Sequence, residues 1–333
     1  MNIAAITITK NGDLICEKIK KSISIHIFSK EKDENFNFKE VVEKAMENYE
    51  GVIFVTSTGI AVRAIAPYIK KKDEDPAVIT IDNSGKFVIS LLSGHLGGAN
   101  ELAITISNIL EAIPVITTAT DSLGIEAPDM VAKKNNLVIE DLKDAKDIAA
   151  LLVDGKKVYF QDEDNIIPIP EGYSSDLEGV AGIVYVTNKN KSFWIEKEKI
   201  KNPQTKILKL IRKNVVLGIG CRKDFSSEDM RKRVVEVLID KNLDLQGVKS
   251  IGTVEVKKDE KAIKDLSAFL KCDLNIFNIE DIKNIDHKFQ GSDFVEKTIG
   301  VRTVCEPCVE LQGGAFITGK LRLNGMTLAI GII

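Results

Sequence analysis

The stretch Ser93-Gly94-His95-Leu96-Gly97-Gly98-Ala99-Asn100-Glu101 has the residue types that chemistry needs. Three glycines within five residues let a backbone approach a ligand closely, at a conformational cost that an ordinary connector has no reason to bear. His95 is one of only three histidines in the chain, and imidazole serves as a general acid or base near neutral pH. A helix following the glycines would aim its positive N-terminus at the same place. Asn100 and Glu101 would lie in its first turn and face the same pocket. A flexible connector with an incidental histidine would use the same letters.

Four other segments qualify. Thr56-Ser57-Thr58-Gly59 sits where an apolar strand gives way to a helix, a junction that suits a phosphate or carboxylate. Arg63, one turn on, can pair with a carboxylate through two hydrogen bonds. The same residues also suit an ordinary N-cap. Thr117-Thr118-Ala119-Thr120-Asp121 follows a short strand, and ligands of open sheets bind beyond strand ends. Asp121 would orient His95, take a proton itself, or simply close an Asx turn. Gly218-Ile219-Gly220-Cys221-Arg222-Lys223 begins like a dinucleotide fingerprint but lacks its third glycine. Arg222 and Lys223 fit an anionic ligand better. Cys221 near a helix start is either a thiol of lowered pKa or a buried small residue. Cys305-Glu306-Pro307-Cys308 has redox or metal spacing, but no second pair completes a zinc site.

These residues need elements to hold them. Ile3–Thr9, Ile23–Phe28, Gly51–Thr56, Ala77–Asp82, Phe87–Leu92 and Pro114–Thr117 read as strands. Helices are expected from about Asp13, over Phe38–Tyr49, over Ile60–Lys71 with Pro67 as a kink or stop, and over Ala99–Glu111. Asn83-Ser84-Gly85-Lys86 has turn chemistry, so its flanking strands are expected to form a hairpin. The alternation predicts an α/β fold, with a mostly parallel open N-terminal sheet and flanking helices over residues 1–130. Residues 131–212 read as a small α/β middle domain, with strands at Lys156–Gln161 and Gly182–Thr187. Residues 213–333 read as a C-terminal α/β domain. There Val215–Ile219 is a strand, and Ser226 with Asp229 opens a helix to about Asp240. Lys261–Leu270 and Thr303–Leu311 are helices, and Asn324-Gly325 turns a terminal hairpin.

Composition narrows the classes. The chain has 333 residues, 44% hydrophobic and 29% charged, enough to build cores without staples. A net charge of −3, from 46 basic and 49 acidic residues, gives no nucleic-acid footprint. Met1–Thr9 patterns as a strand and not a signal peptide, and no apolar run suits a membrane span. Five scattered cysteines predict reduced thiols in a cytoplasmic protein.

Several of these segments together resemble the cobalamin biosynthesis protein G family, the cobalt-precorrin-5A hydrolases. Ser57-Thr58-Gly59-Ile60-Ala61-Val62-Arg63-Ala64-Ile65-Ala66-Pro67, Asp75-Pro76-Ala77-Val78, Ser90 through Ala103, and Pro114 through Asp121 are similar to the family's N-terminal block. Gly218 through Arg222, Lys257-Lys258-Asp259-Glu260, and Gly300 through Glu306 resemble its C-terminal block; the middle is similar only in position and length. The chain departs from the pattern at Pro307 and Cys308, where the family is alanine-rich. It departs again at Lys261-Ala262-Ile263, where the family often has Pro-Gly-Leu.

The resemblance implies a cobalt-bearing corrinoid substrate with carboxylate arms and a δ-lactone. Water opens the lactone, and acetaldehyde leaves to complete ring contraction. Residue chemistry placed on the matched motifs makes His95 the base, with Asp121 as its orienter or a second acid/base and Glu101 beside them. Substrate contacts are expected from Ser57, Thr58, Gly59, Arg63, Ser93, Gly94, Gly97, Gly98, Asn100, Thr117, Thr118, Cys221, Arg222 and Lys223. Backbone N–H groups at Gly97 and Gly98, with Thr117 and Thr118, would stabilise the oxyanion, worth roughly 3–4 kcal/mol. No metal-ligand set is evident, so no cofactor is expected and cobalt enters only within the substrate. A homo-oligomer is compatible with this. The main competitor is a non-catalytic corrinoid carrier, which would bind tightly and release no acetaldehyde; a nucleotide-dependent enzyme ranks behind it.

Overall fold

The structure is a computed structural model that describes residues 1–71, 74–118, 120, 123–192, 195 and 202–333. Among the described residues there are three sheets, in two compact units. One unit comprises residues 1–133 with 152–155 and 170–172; the other comprises 134–151, 156–169 and 173–333.

The first unit begins with β1 (Ile3–Thr7), α1 (Lys10–Lys20), β2 (His26–Ser29), α2 (Phe38–Asn48) and β3 (Gly51–Val55). It continues with α3 (Thr58–Ile65), β4 (Ala77–Ile81), β5 (Phe87–Leu92), α4 (Ala99–Leu110), β6 (Ile113–Val115) and α5 (Pro128–Lys134). The strands form one sheet in the order β2-β1-β3-β4-β5-β6. Strands covered on both faces must be apolar at every position, and β1, β3 and β4 are wholly buried. Ile3, Ala5, Ile53, Val55, Ile79 and Ile81 pack under α1 and α4. Ala4, Ile6, Val52, Phe54 and Val78 pack under α2 and α3. That split is the two-residue period of a strand.

All pairings in this sheet are parallel except β4 with β5, where the expected hairpin forms. Asp82 closes its turn by accepting the N–H groups of Ser84 and Phe87. The helix expected over Ile60–Lys71 ends at Ile65, and Pro67 falls in a 3-10 turn, Ala66–Tyr68.

The second unit holds two sheets. β7 (Leu137–Ile139), β8 (Val158–Asp162), β9 (Gly182–Thr187) and β10 (Lys206–Arg212) form the order β7-β10-β9-β8, and α6 (Leu142–Val153) lies between β7 and β8 in the chain. The C-terminal sheet has β11 (Val215–Cys221), β12 (Val248–Val254), β13 (Asp273–Phe277), β14 (Ala315–Leu323) and β15 (Met326–Ile332), ordered β13-β12-β11-β15-β14. Its helices are α7 (Ser227–Asp240), α8 (Lys261–Leu270), α9 (Ile279–Asp286), α10 (Asp293–Ile299) and α11 (Cys305–Leu311). Ser226 caps α7 by accepting the Asp229 N–H. Asn324 and Gly325, both at positive φ, turn the β14–β15 hairpin as their types demand. Val215, Leu217 and Ile219 of β11 pack against Met230, Val234 and Leu238 of α7 and Ile263 and Leu266 of α8. Each such side chain contributes about 1.5–3 kcal/mol by leaving water. On the opposite face Val216 meets Cys305 and Val309 of α11.

Candidate active site

The β4–β5 hairpin decides which candidate residues meet. Val55 lies level with Ile81, and Val78 level with Leu92. β5 and β6 therefore end at the edge where β3 and β4 begin. Ser57, Thr58, Gly59 and Arg63 follow the far end of β3, one five-residue strand away, about 16 Å. The sequence reading put both groups around one substrate; the structure sets them on opposite edges of the sheet. Ser57 is the N-cap of α3 but its side chain makes no capping hydrogen bond. Arg63 is exposed.

The loop after β5 is tightly closed on itself. The Ala99 and Asn100 N–H groups donate to the carbonyls of Ser93 and Gly94, at 3.1 and 3.0 Å. The Gly98 N–H donates to the His95 carbonyl at 3.1 Å. That donor is therefore already engaged and is not free for an oxyanion, a correction to the sequence expectation. The glycines serve the closure. A Cβ on Gly97 would stand 2.4 Å from the Ser93 Cβ, and one on Gly94 2.8 Å from the Asn100 Oδ1. Gly98 is left-handed, at φ 88°. Ser93 is also left-handed, at φ 57°, which costs a residue with a side chain about 1–3 kcal/mol. Its Oγ is buried without a hydrogen-bond partner among the described residues.

Asn100 ties the loop to the strands. It accepts from the Ser90 hydroxyl at 2.6 Å and donates to the Thr118 hydroxyl at 3.0 Å. It thus holds the loops after β5 and β6 together. Thr117 beside it is exposed.

His95 is held from two sides, with 16% of its side chain exposed. Its Nε2 lies 3.3 Å from the Thr120 Oγ1, and its Nδ1 3.7 Å from Asp129 Oδ1. Thr120 is buried. Asp129 stands in the first turn of α5, where a carboxylate is favoured and where Pro128 opens the helix. From the same helix Lys133 donates to the His95 carbonyl at 3.3 Å and lies 3.8 Å from the exposed Glu101 carboxylate. Asp121, expected to orient His95, lies outside the described residues. Asp129, 34 positions along the chain, is the carboxylate that the structure sets near the His95 ring, and it escaped the sequence reading. Its one local signal, proline then aspartate at a helix start, speaks of capping and not of a histidine.

The second unit contains a cavity of about 1220 Å3, and Cys221, Arg222 and Lys223 are in its lining. Burial pushes the Cys221 thiol up to about 11, so the lowered pKa considered from sequence does not hold. Gly218 has a packing role: a Cβ there would come 1.8 Å from the Cys305 carbonyl oxygen. Gly218 thus seats α11 on β11, while Gly220 makes room for the Thr327 hydroxyl of β15. Cys305 and Cys308 are fully buried, and burial raises both thiols. They pack as small apolar residues.

Comparison with known proteins covers the whole chain. The family model described as cobalamin synthesis G N-terminal matches residues 40–121, the cobalamin biosynthesis central region matches 126–194, and the cobalamin synthesis G C-terminus matches 215–331. A cobalt-precorrin-5A hydrolase of Salmonella typhimurium is 32% identical over 352 residues, covering 99% of this chain and 97% of its own. One of Priestia megaterium is 28% identical over 359 residues, covering 99% and 94%. A solved cobalamin biosynthesis protein G homologue of Sulfolobus solfataricus, 23% identical, aligns over 99% of this chain and 97% of that one with a TM-score of 0.42.

Proposed function

The chain belongs to the cobalamin synthesis G family, and on that premise we propose that it is a cobalt-precorrin-5A hydrolase that opens a δ-lactone and releases acetaldehyde. The observation that carries the chemical part is the placement of His95, on a glycine-closed loop, between Asp129 of α5 and Thr120 of the segment after β6. In this reading Asp129, 3.7 Å away on the Nδ1 side, draws the imidazole proton to Nδ1, and Nε2, beside the Thr120 hydroxyl, is the nitrogen that accepts a proton. Such contacts are often long in an unliganded enzyme and shorten around substrate.

In the first step His95 takes a proton from water as its oxygen adds to the lactone carbonyl. The acyl C–O bond breaks, leaving a carboxylate and, once protonated, a hydroxyl on the two-carbon unit. In the second step that hydroxyl loses its proton. Its electron pair forms the aldehyde C=O as the C–C bond to the macrocycle breaks. The released pair enters the conjugated ring and is quenched by a proton, and acetaldehyde departs. One base placed beside both oxygens serves both steps. Lys133, held against the loop by the His95 carbonyl, is the cation that meets the new carboxylate.

Cobalt belongs to the substrate in this reading, and the reaction runs in the cytoplasm, for which five free thiols are suited. Among the described residues no helix is long and apolar enough to cross a membrane. The test is anaerobic incubation of the full chain with cobalt-precorrin-5A and trapping of volatile aldehyde. The expected result is stoichiometric acetaldehyde. Tight corrinoid binding with no acetaldehyde would replace the enzyme by a carrier.

A further inference from the structure

The cavity of the second unit, about 1220 Å3, exceeds the roughly 300–1,000 Å3 of common small-molecule sites. It lies at the carboxyl end of β11, between the β14–β15 hairpin, the segment 254–261 and α10. Three segments set apart by the sequence, at Gly220–Lys223, Lys257–Glu260 and Thr303–Val304, converge on it.

Its lining divides by chemistry. Val254, Val256, Val295, Ile299, Val304 and Leu323 supply apolar wall. Arg222, Lys223, Lys261, Lys320 and Arg322 supply positive charge, and among the described residues none of their side chains is paired with a carboxylate; the Lys320 Nζ donates to the Gln290 carbonyl at 2.8 Å. Two of the acidic lining residues are already engaged. Glu260 pairs with Lys257 at 3.0 Å and accepts the Phe225 N–H at 3.1 Å; Asp259 pairs with Lys264 at 2.8 Å. Exposed Asp224 is the remaining acid. Arg222 is held at two points: its guanidinium lies 5.7 Å from the Phe225 ring centre, and its backbone N–H donates to the Gly325 carbonyl at 2.9 Å. Thr303 is an independent pointer to a ligand. It is 1% exposed, lines the cavity, and its Oγ1 has no hydrogen-bond partner among the described residues. An orphaned buried hydroxyl costs free energy that a ligand's polar edge recovers.

We infer that this cavity is the docking site of the corrinoid macrocycle. The ring lies on the apolar wall, its carboxylate arms reach Arg222, Arg322 and Lys320, and the Thr303 hydroxyl meets a polar group at the base. The identity of the ligand rests on the proposed function; the site itself rests on the lining.

The test is equilibrium dialysis of the full chain against dicyanocobyrinic acid, a stable polycarboxylate corrinoid, and against its methyl ester, which keeps the ring and loses the charges. The acid is expected to bind at one site and the ester at least tenfold more weakly. Arg222→Ala and Arg322→Ala each weaken the acid by about tenfold, the loss of one charge-assisted contact. Thr303→Val weakens it severalfold with the fold intact. Lys232→Ala, exposed on α7 and outside the lining, leaves binding unchanged. Wild-type affinity in the arginine variants, equal affinity for the ester, or binding of a nucleoside triphosphate in place of the acid would overturn the inference. Acetaldehyde assays of the same proteins separate the two claims. Full acetaldehyde release by an Arg222→Ala/Arg322→Ala double variant would sink the site and keep the hydrolase. Loss of corrinoid binding in those variants, with no acetaldehyde from wild type, would do the reverse.

Discussion

Two glycine clusters at strand ends look alike in the sequence and serve opposite purposes in the structure. Gly94, Gly97 and Gly98 fold a loop onto itself and present a histidine at its rim. Gly218 brings a helix against a strand, backbone to backbone, and Gly220 makes room for the Thr327 hydroxyl where β11 reaches the cavity. The spacing of glycines reports that something approaches closely. Only the partner's identity says whether the purpose is packing or chemistry. In the first cluster the glycines make room for Asn100 and Ser93, and the loop so closed carries His95 near Thr120 and Asp129; in the second they make room for a helix carbonyl and a threonine.

The sharpest way to break this comparison is to add one methyl group to each cluster. Gly218→Ala drives a Cβ into the Cys305 carbonyl and is expected to cost more than about 3 kcal/mol, seen as a large fall in Tm or loss of folded protein. Gly97→Ala distorts only a loop, so it is expected to lose activity while melting close to wild type. Equal melting of the two variants would contradict the distinction. Next in size is Asp129→Asn. If Asp129 positions His95, kcat falls by up to about 10²-fold with KM little changed, and Asp129→Glu recovers part of it. A purely structural role would lower Tm and leave kcat per folded molecule alone.

Thr303→Val tests the orphaned hydroxyl of the second unit in the unliganded protein. Removing an unsatisfied buried hydroxyl at constant shape is expected to stabilise by about 1 kcal/mol, read as a modest rise in Tm. A fall would show that the hydroxyl has a partner in solution. The smallest effect is alkaline. Burial raises the thiols of Cys221 and Cys272 to about 11 and of Cys16 to about 12. A raised folded-state pKa means that the native chain holds these protons more tightly than the unfolded one. Stability is thus complete below pH 9 and declines as pH rises toward 11–12. Urea midpoints across that window check it, and Cys272→Ser should flatten the decline.

Much of the first sheet was legible because its strands are buried on both faces and read as apolar runs. The hairpin at Asn83-Ser84-Gly85-Lys86 was legible too, from turn chemistry alone. Its consequence was not. Reversing the chain there puts the ends of β5 and β6 at the edge opposite the end of β3, and so parts Arg63 from His95. No local pattern carries that. β10 was missed because Lys206, Lys209 and Arg212 interrupt its apolar residues. Lys209 is nonetheless 3% exposed, its charge met by Asp244 at 2.6 Å and Glu140 at 3.1 Å. Partners so far along the chain leave no trace in a local window. Asp129 was missed for the same reason: the contact that gives it a role is tertiary.

The most direct test of the central claim compares acetaldehyde release from cobalt-precorrin-5A by wild type and His95→Ala, both saturated with substrate. Removal of a general base predicts a drop of roughly 10²–10⁴-fold in turnover, with corrinoid binding and Tm retained. Wild-type turnover in the variant would contradict the assignment of His95 and move the chemistry away from the glycine-closed loop.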